Sequence, residues 1–136
     1  MRLVVLDTNV LVSAGIKLDS APYRIAHDWV MTGEVQIVTC PSICQEYREV
    51  NSSPKFSHYG FPPAWLEFLI ESSMQMADPA PWPHPLPSES DSVFLALAAH
   101  SGAWLISGNL RHYPPASSGS VTVCPPSEYL RVLQGK

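Results

Sequence analysis

The chain has no long hydrophobic run. No stretch approaches the ~20 consecutive apolar residues of a membrane-spanning helix, and the run after Met1-Arg2 stops at Asp7, too soon for a signal peptide. Cysteine is scarce: three residues, an odd number, with no CxxC pair, so the sequence suggests no disulfide framework and a thiolate metal site is disfavoured. Cys40 and Cys44 stand among Val38, Ile43 and Tyr47 and are expected in the core. Positive charge is also in deficit, with 8 Lys and Arg against 12 Asp and Glu and a net charge of −4. That balance argues against a protein that coats nucleic acid through bulk charge. It leaves room for a nucleic-acid enzyme with a local basic rim, or for a small-molecule or protein partner. No internal repeat or domain boundary is visible, and a soluble cytoplasmic protein with reduced thiols is expected.

What is present reads as one globular domain over residues 1–136, with a hydrophobic fraction of 46%, a charged fraction of 15% and a mean hydropathy of +0.03. Many of the fourteen prolines cluster in 79–87 and 114–126, which read as loops. Apolar, β-branched runs at 3–6, 35–40, 103–107 and 121–124 read as strands, with a short one at 74–76. Between them lie helices. One starts at the Ser20 cap with Pro22 and stops at Gly33; another starts at a Ser42/Gln45 capping box; a third starts at Pro62-Pro63. A strongly apolar helix over 93–99, capped by Ser88 or Ser90, stops at Gly102, and a final one begins at Pro126. Trp29, Trp65 and Trp104 fall within these patterns and are expected in the core, while Trp82 lies in the proline-rich stretch and packs on the domain edge or supports a partner contact. Regular alternation of strand and helix predicts a three-layer α/β/α sandwich around a central, mainly parallel sheet.

Candidate chemistry sits at the strand ends. Asp7 follows the first strand, Glu46 lies in the helix after the second, Asp91 opens the helix before the Trp104 strand, and Asn109 follows that strand. Each has a local explanation: Asp7 and Asp91 suit helix N-termini, Glu46 suits an exposed helix face and Asn109 suits a turn. Four polar residues at the same end of different elements are harder to explain separately. Converging carboxylates repel one another, and a divalent cation removes that penalty. Oxygen donors without His or Cys suit Mg²⁺ or Mn²⁺ better than Zn²⁺. Such an ion polarises a phosphoryl oxygen and activates water, so metal-assisted phosphodiester hydrolysis follows as the expected reaction class.

Four segments carry a resemblance. Leu6-Asp7-Thr8-Asn9-Val10-Leu11-Val12-Ser13-Ala14 resembles the opening motif of PIN-domain nucleases, and residues 41–50, with Glu46 followed by Tyr47, are similar to the second. Asp91-Ser92-Val93-Phe94-Leu95-Ala96-Leu97-Ala98 is similar to the third and residues 105–114 to the fourth, in the right order and over most of the chain. The resemblance implies an endoribonuclease, the toxin of a toxin–antitoxin pair, with RNA as substrate, an antitoxin protein as partner and a homodimeric state. It implies Asp7 and Asp91 as main ligands of Mg²⁺ or Mn²⁺, and Glu46 as a ligand directly or through water. Asn109 stands where many relatives have Asp, so it would orient a ligand water or ligate through its carbonyl, and a second metal site is in doubt. Thr8 and Ser107 would hold the carboxylates in place, and Asn9 would either do the same or only shape the turn. Arg111 and His112 either meet a substrate phosphate or form a solvated loop. Arg48, Lys55 and His58 either extend a basic rim or are ordinary surface residues.

Two other readings compete. A PIN-like fold kept as a binding module without turnover would account for Asn109 and the low positive charge. A metal-dependent phosphatase would also begin with a strand and an acid, but its common motif has a second acid two residues on, where this chain has Asn9.

Overall fold

The structure is a computed structural model and describes residues 2–55 and 62–136. Among the described residues five strands, β1 (Arg2–Leu6), β2 (Val35–Thr39), β3 (Met74–Gln75), β4 (Trp104–Ile106) and β5 (Val123–Cys124), form one sheet in the order β3-β2-β1-β4-β5. Every pairing is parallel. The expected mainly parallel sheet is therefore wholly parallel. Val4 and Val5 project to opposite faces, as successive strand residues must, and both are fully buried. Both faces of the central strand are thus covered, which is why β1 reads as an unbroken apolar run.

The helices are α1 (Thr8–Ile16), α2 (Ala21–Tyr23), α3 (Pro41–Asn51), α4 (Pro63–Ser72), α5 (Ser92–Ser101), α6 (Pro115–Ser118) and α7 (Pro126–Leu133). Short 3-10 turns at Glu89–Asp91 and Leu110–His112 precede α5 and α6. The chain moves outward from β1 through β2 to β3, then returns to β4 on the other side of β1. The crevice outside the C-terminal ends of β1 and β4 is therefore the switch point where open α/β sheets place ligands.

Several local expectations change. Ser20 does cap, accepting from the Tyr23 N–H at 3.3 Å. After one α-turn, however, the helix widens into a π-helix over Arg24–Trp29. The Ser42/Gln45 capping box does not form, because α3 begins at Pro41, one residue before Ser42. Asp78, from beyond β3, accepts instead from the Ser42 N–H at 3.0 Å and from its hydroxyl at 2.6 Å. Gln45 turns to Glu49 along its own helix, 3.0 Å away. Trp29, Trp65 and Trp104 are half-buried rather than in the core. The three cysteines are free and buried, as expected. The proline-rich strap holds no helix or strand over residues 79–87; Trp82 donates from Nε1 to the Ser117 carbonyl at 2.8 Å, and Leu86 is buried. Among the described residues no helix is long and apolar enough to cross a membrane.

Candidate active site

Register builds the site. Leu6 of β1 pairs with Ile106 of β4, so the next residues, Asp7 and Ser107, emerge side by side at the sheet's C-terminal rim. The Asp7 N–H donates to the Ile106 carbonyl at 2.9 Å, and the Ser107 N–H to the Cys124 carbonyl at 3.1 Å, which fixes both backbones. Asp7 occupies the N-cap position of α1, yet its side chain does not cap the helix. Its Oδ2 instead accepts from the Ser107 hydroxyl at 2.9 Å and the Tyr113 phenol at 2.8 Å, with the Asn9 amide farther off at 3.4 Å. Asn9 also accepts from the Gly108 N–H at 3.1 Å, joining the turn after β4 to the start of α1.

Helix α3 supplies the second acid. Tyr47 is fully buried and donates to the Leu6 carbonyl at 2.5 Å, anchoring α3 to the end of β1. Glu46 is thereby carried to α1, where the Thr8 hydroxyl donates to its carboxylate. The third acid, Asp91, ends the 3-10 turn before α5 and is buried without capping that helix. His112 Nδ1 stands 3.1 Å from Asp91 Oδ2, but off the axis of a hydrogen bond, so Oδ2 has no aligned partner among the described residues. The other ring nitrogen of His112 lies 3.0 Å from the Asn109 amide, and the Asn109 N–H donates to Ser107 Oγ at 3.0 Å.

Asp7, Glu46, Asp91 and His112 line one open cleft of about 430 Å³, with Val12, Ile16 and Val50 as an apolar wall. The acids act on one another there. Burial pushes the Asp91 carboxyl up to about 6; the Asp7 charge adds to this, His112 partly offsets it, and Glu46 adds a little. Burial also raises the Glu46 carboxyl, opposed by the Thr8 hydroxyl and reinforced by Asp7 and Glu49. Tyr113 is held far above the usual phenol range by burial and by Asp7, so it stays a proton donor. Among the described residues no three His, Cys, Asp or Glu side chains are grouped tightly enough to hold a metal ion as they stand.

The structure thus brings Asp7, Thr8, Asn9, Glu46, Asp91, Ser107, Asn109 and His112 to one end of the sheet, and leaves Arg111 exposed beside them. Arg48 does not offer a free charge: Nε and one terminal nitrogen each meet Glu67 at 2.8 Å. Lys55 is exposed, and His58 lies outside the described residues. Sequence reasoning missed Tyr113 as a partner of Asp7; the only trace was a hydroxyl-bearing aromatic four residues after Asn109.

Comparison with known proteins gives three findings. The profile of a family described as the PIN domain matches residues 3–111. No curated protein matches the sequence. Among solved structures, the chain resembles one in the crystal structure of VapBC2 from Rickettsia felis bound to a DNA fragment from their promoter, with 14% identity, a TM-score of 0.63, and 90% of this chain and 98% of that one covered. It also resembles PAE2754 from Pyrobaculum aerophilum, with 15% identity, a TM-score of 0.60, and 99% of this chain and 91% of that one covered.

Proposed function

The chain belongs to the PIN-domain family, and from that premise we propose that it is a metal-dependent endoribonuclease and the toxin of a toxin–antitoxin pair. One observation carries the reading: three carboxylates from three different elements line a single cleft at the switch point of the sheet. PIN domains are typically nucleases, and acids so arranged suit that chemistry.

The donor set fits a divalent cation. Asp91 Oδ2 is a buried oxygen without an aligned partner among the described residues, and an all-oxygen set with one or two carboxylates is how Mg²⁺ is commonly held, water completing the sphere. Asp7 and Asp91 would hold the ion. Glu46, engaged by Thr8, would reach it through water. When bound, the ion would neutralise charge developing on the phosphoryl group. Ser107 and Tyr113 hold Asp7 by one oxygen, and its other would serve the ion. Arg111, exposed at the rim, would meet a neighbouring phosphate. The likeness to the VapBC2 chain supports an antitoxin partner, and a cytoplasmic homodimer belongs to the same reading.

The test is cleavage of single-stranded and structured RNAs in Mn²⁺, Mg²⁺ or excess EDTA, with Asp91→Asn as control for contaminants. Metal-dependent cleavage lost in the variant establishes the nuclease. A neutral Asn109 beside the acids and a net charge of −4 favour a second reading, a PIN fold that binds without turnover. RNA binding with no cleavage under any metal would select it.

A further inference from the structure

We propose that the cavity between the Leu110–His112 turn and the free edge of β5 is a base-binding subsite. It takes one unpaired RNA base, next to the phosphate that enters the acidic cleft. The proposal rests on the nuclease reading, and its test separates the two.

The cavity measures about 400 Å³, and Leu110, Tyr113, Pro115, Val121 and Val123 are among its lining residues. It lies back to back with the acidic cleft, because one turn borders both. Successive side chains of a 3-10 turn leave it a third of a circle apart. Leu110 accordingly borders the cavity, His112 borders the cleft, and Arg111 is exposed between them. An RNA strand crossing this turn meets Arg111 with a phosphate, and has an apolar cavity on one side and the carboxylates on the other. Tyr113 joins the two sites: it lines the cavity, while its phenol donates to Asp7 at 2.8 Å.

The edge of β5 supplies the polar partners. Among the described residues β5 is the last strand of the sheet. The Thr122 carbonyl accepts from the Leu105 N–H at 2.9 Å, and the Cys124 carbonyl from the Ser107 N–H at 3.1 Å. Peptide groups alternate in direction along a strand, so the N–H and C=O of Val123, between those two, point away from β4. They offer a donor and an acceptor side by side. Every nucleobase carries the matching acceptor and donor on its Watson–Crick edge, and in a duplex that edge is occupied. The subsite therefore admits a base only when it is unpaired. Leu110, 45% exposed, and the neighbouring Pro115 and Val121 give the base apolar cover.

An added peptide strand is the other common use of a free edge. This edge is too short for one. The Val121 N–H is taken by the Ser118 carbonyl at 3.2 Å, Pro125 has no N–H, and the Pro125 carbonyl accepts from the Tyr129 N–H at 3.0 Å. A single free N–H and C=O pair suits a base, whereas a short edge ended by proline resists strand addition.

The test uses full-length protein in excess EDTA, where RNA stays intact on the nuclease reading. The probes are octaadenylate, octauridylate and an abasic ribose-phosphate octamer, followed by the ¹⁵N–¹H signal of Val123 and by Kd. At least one homopolymer is expected to shift Val123, and the abasic chain is expected to leave it in place. Val123→Pro removes the N–H without breaking a ladder bond, as an edge strand tolerates. It should weaken that homopolymer about 3- to 10-fold, the loss of one hydrogen bond, with the abasic chain unaffected. Leu110→Ala disturbs no ladder bond and should discriminate in the same direction, which keeps the test valid if Val123→Pro does not fold. Homopolymer binding with Val123 unshifted, or equal losses for the abasic chain, overturns the subsite and leaves the nuclease reading standing. Failure of both homopolymers to bind also overturns the subsite, and the nuclease reading falls with it only if RNA goes uncleaved in Mn²⁺.

Discussion

Tyr113 and Asp7, 106 residues apart in the chain, meet at 2.8 Å, the phenol donating to the carboxylate oxygen that Ser107 also holds. Two hydroxyls on one oxygen fix the rotation of the carboxylate and leave its second oxygen outside both bonds.

Tyr113→Phe removes one donor to a buried charged acceptor and should cost about 1–3 kcal/mol in urea unfolding. Ser107→Ala should cost a similar amount. Because both donors serve the same oxygen, the double variant should differ from the sum of the singles. Strict additivity in the four-protein cycle would show that the two bonds act independently, against the shared-anchor arrangement.

The raised carboxyl of Asp91 gives a pH dependence with a definite sign. Its value in the fold, about 6, lies above the ordinary 3.8, so the folded protein binds the proton more readily than the unfolded chain. That contribution to stability is fully present below about pH 4 and is lost as pH rises through 6. At pH 7.5 the ionised acid therefore destabilises the metal-free protein, by up to about 3 kcal/mol on a shift of this size. Asp91→Asn should unfold at higher urea than wild type at pH 7.5, with little difference near pH 4. Saturating Mn²⁺ should reverse the order at pH 7.5, since on the proposed reading only wild type would keep both acids for the ion. A variant less stable than wild type at pH 7.5 without metal would contradict this account of the site.

Much of this arrangement was legible in the chain because it follows from strand ends. The abrupt stop of an apolar run at Asp7, and of another before Gly108-Asn109, reports where two buried strands reach the rim, and strand-helix alternation then sets the parallel order. What was not legible depends on partners distant in sequence. Asp78 caps α3 from beyond β3, so Ser42 and Gln45 matched a local pattern that the fold does not use. Tyr113 gave no sign of its role because its partner lies at the other end of the chain. The widening of the Arg24–Trp29 helix has no sequence signal that we can identify; its residues keep ordinary helical periodicity.

Arg48 offers a test of where substrate does not run. Its guanidinium is held bidentately by Glu67, both groups being about half exposed. A paired cation adds little to phosphate binding, so Arg48→Ala should leave RNA affinity and its salt dependence unchanged. Glu67→Gln should release the cation and, if RNA passes this edge, tighten binding with a steeper salt slope. A several-fold loss of affinity in Arg48→Ala would place α3 and α4 in the RNA path.

The strap reaches Asp7 in three steps. Trp82 donates to the Ser117 carbonyl, the neighbouring Ser118 hydroxyl lies 3.3 Å from the Tyr113 carbonyl, and Tyr113 donates to Asp7. Gly119 lets the strap close down: its φ of +60° is one that L side chains rarely adopt, and a Cβ there would sit 3.5 Å from the Trp82 ring. The ring contact alone is tolerable, so the backbone decides the cost. Gly119→Ala should lose about 1–3 kcal/mol through strain. Trp82→Phe keeps most of the ring and loses one hydrogen bond, for about 0.5–1.5 kcal/mol. If the three steps act as one unit, both variants should speed amide hydrogen exchange from 113 to 118 and slow RNA cleavage, while exchange in β2 stays as in wild type. Uniform acceleration across the sheet would mean that the strap supports global stability alone and has no particular hold on Asp7.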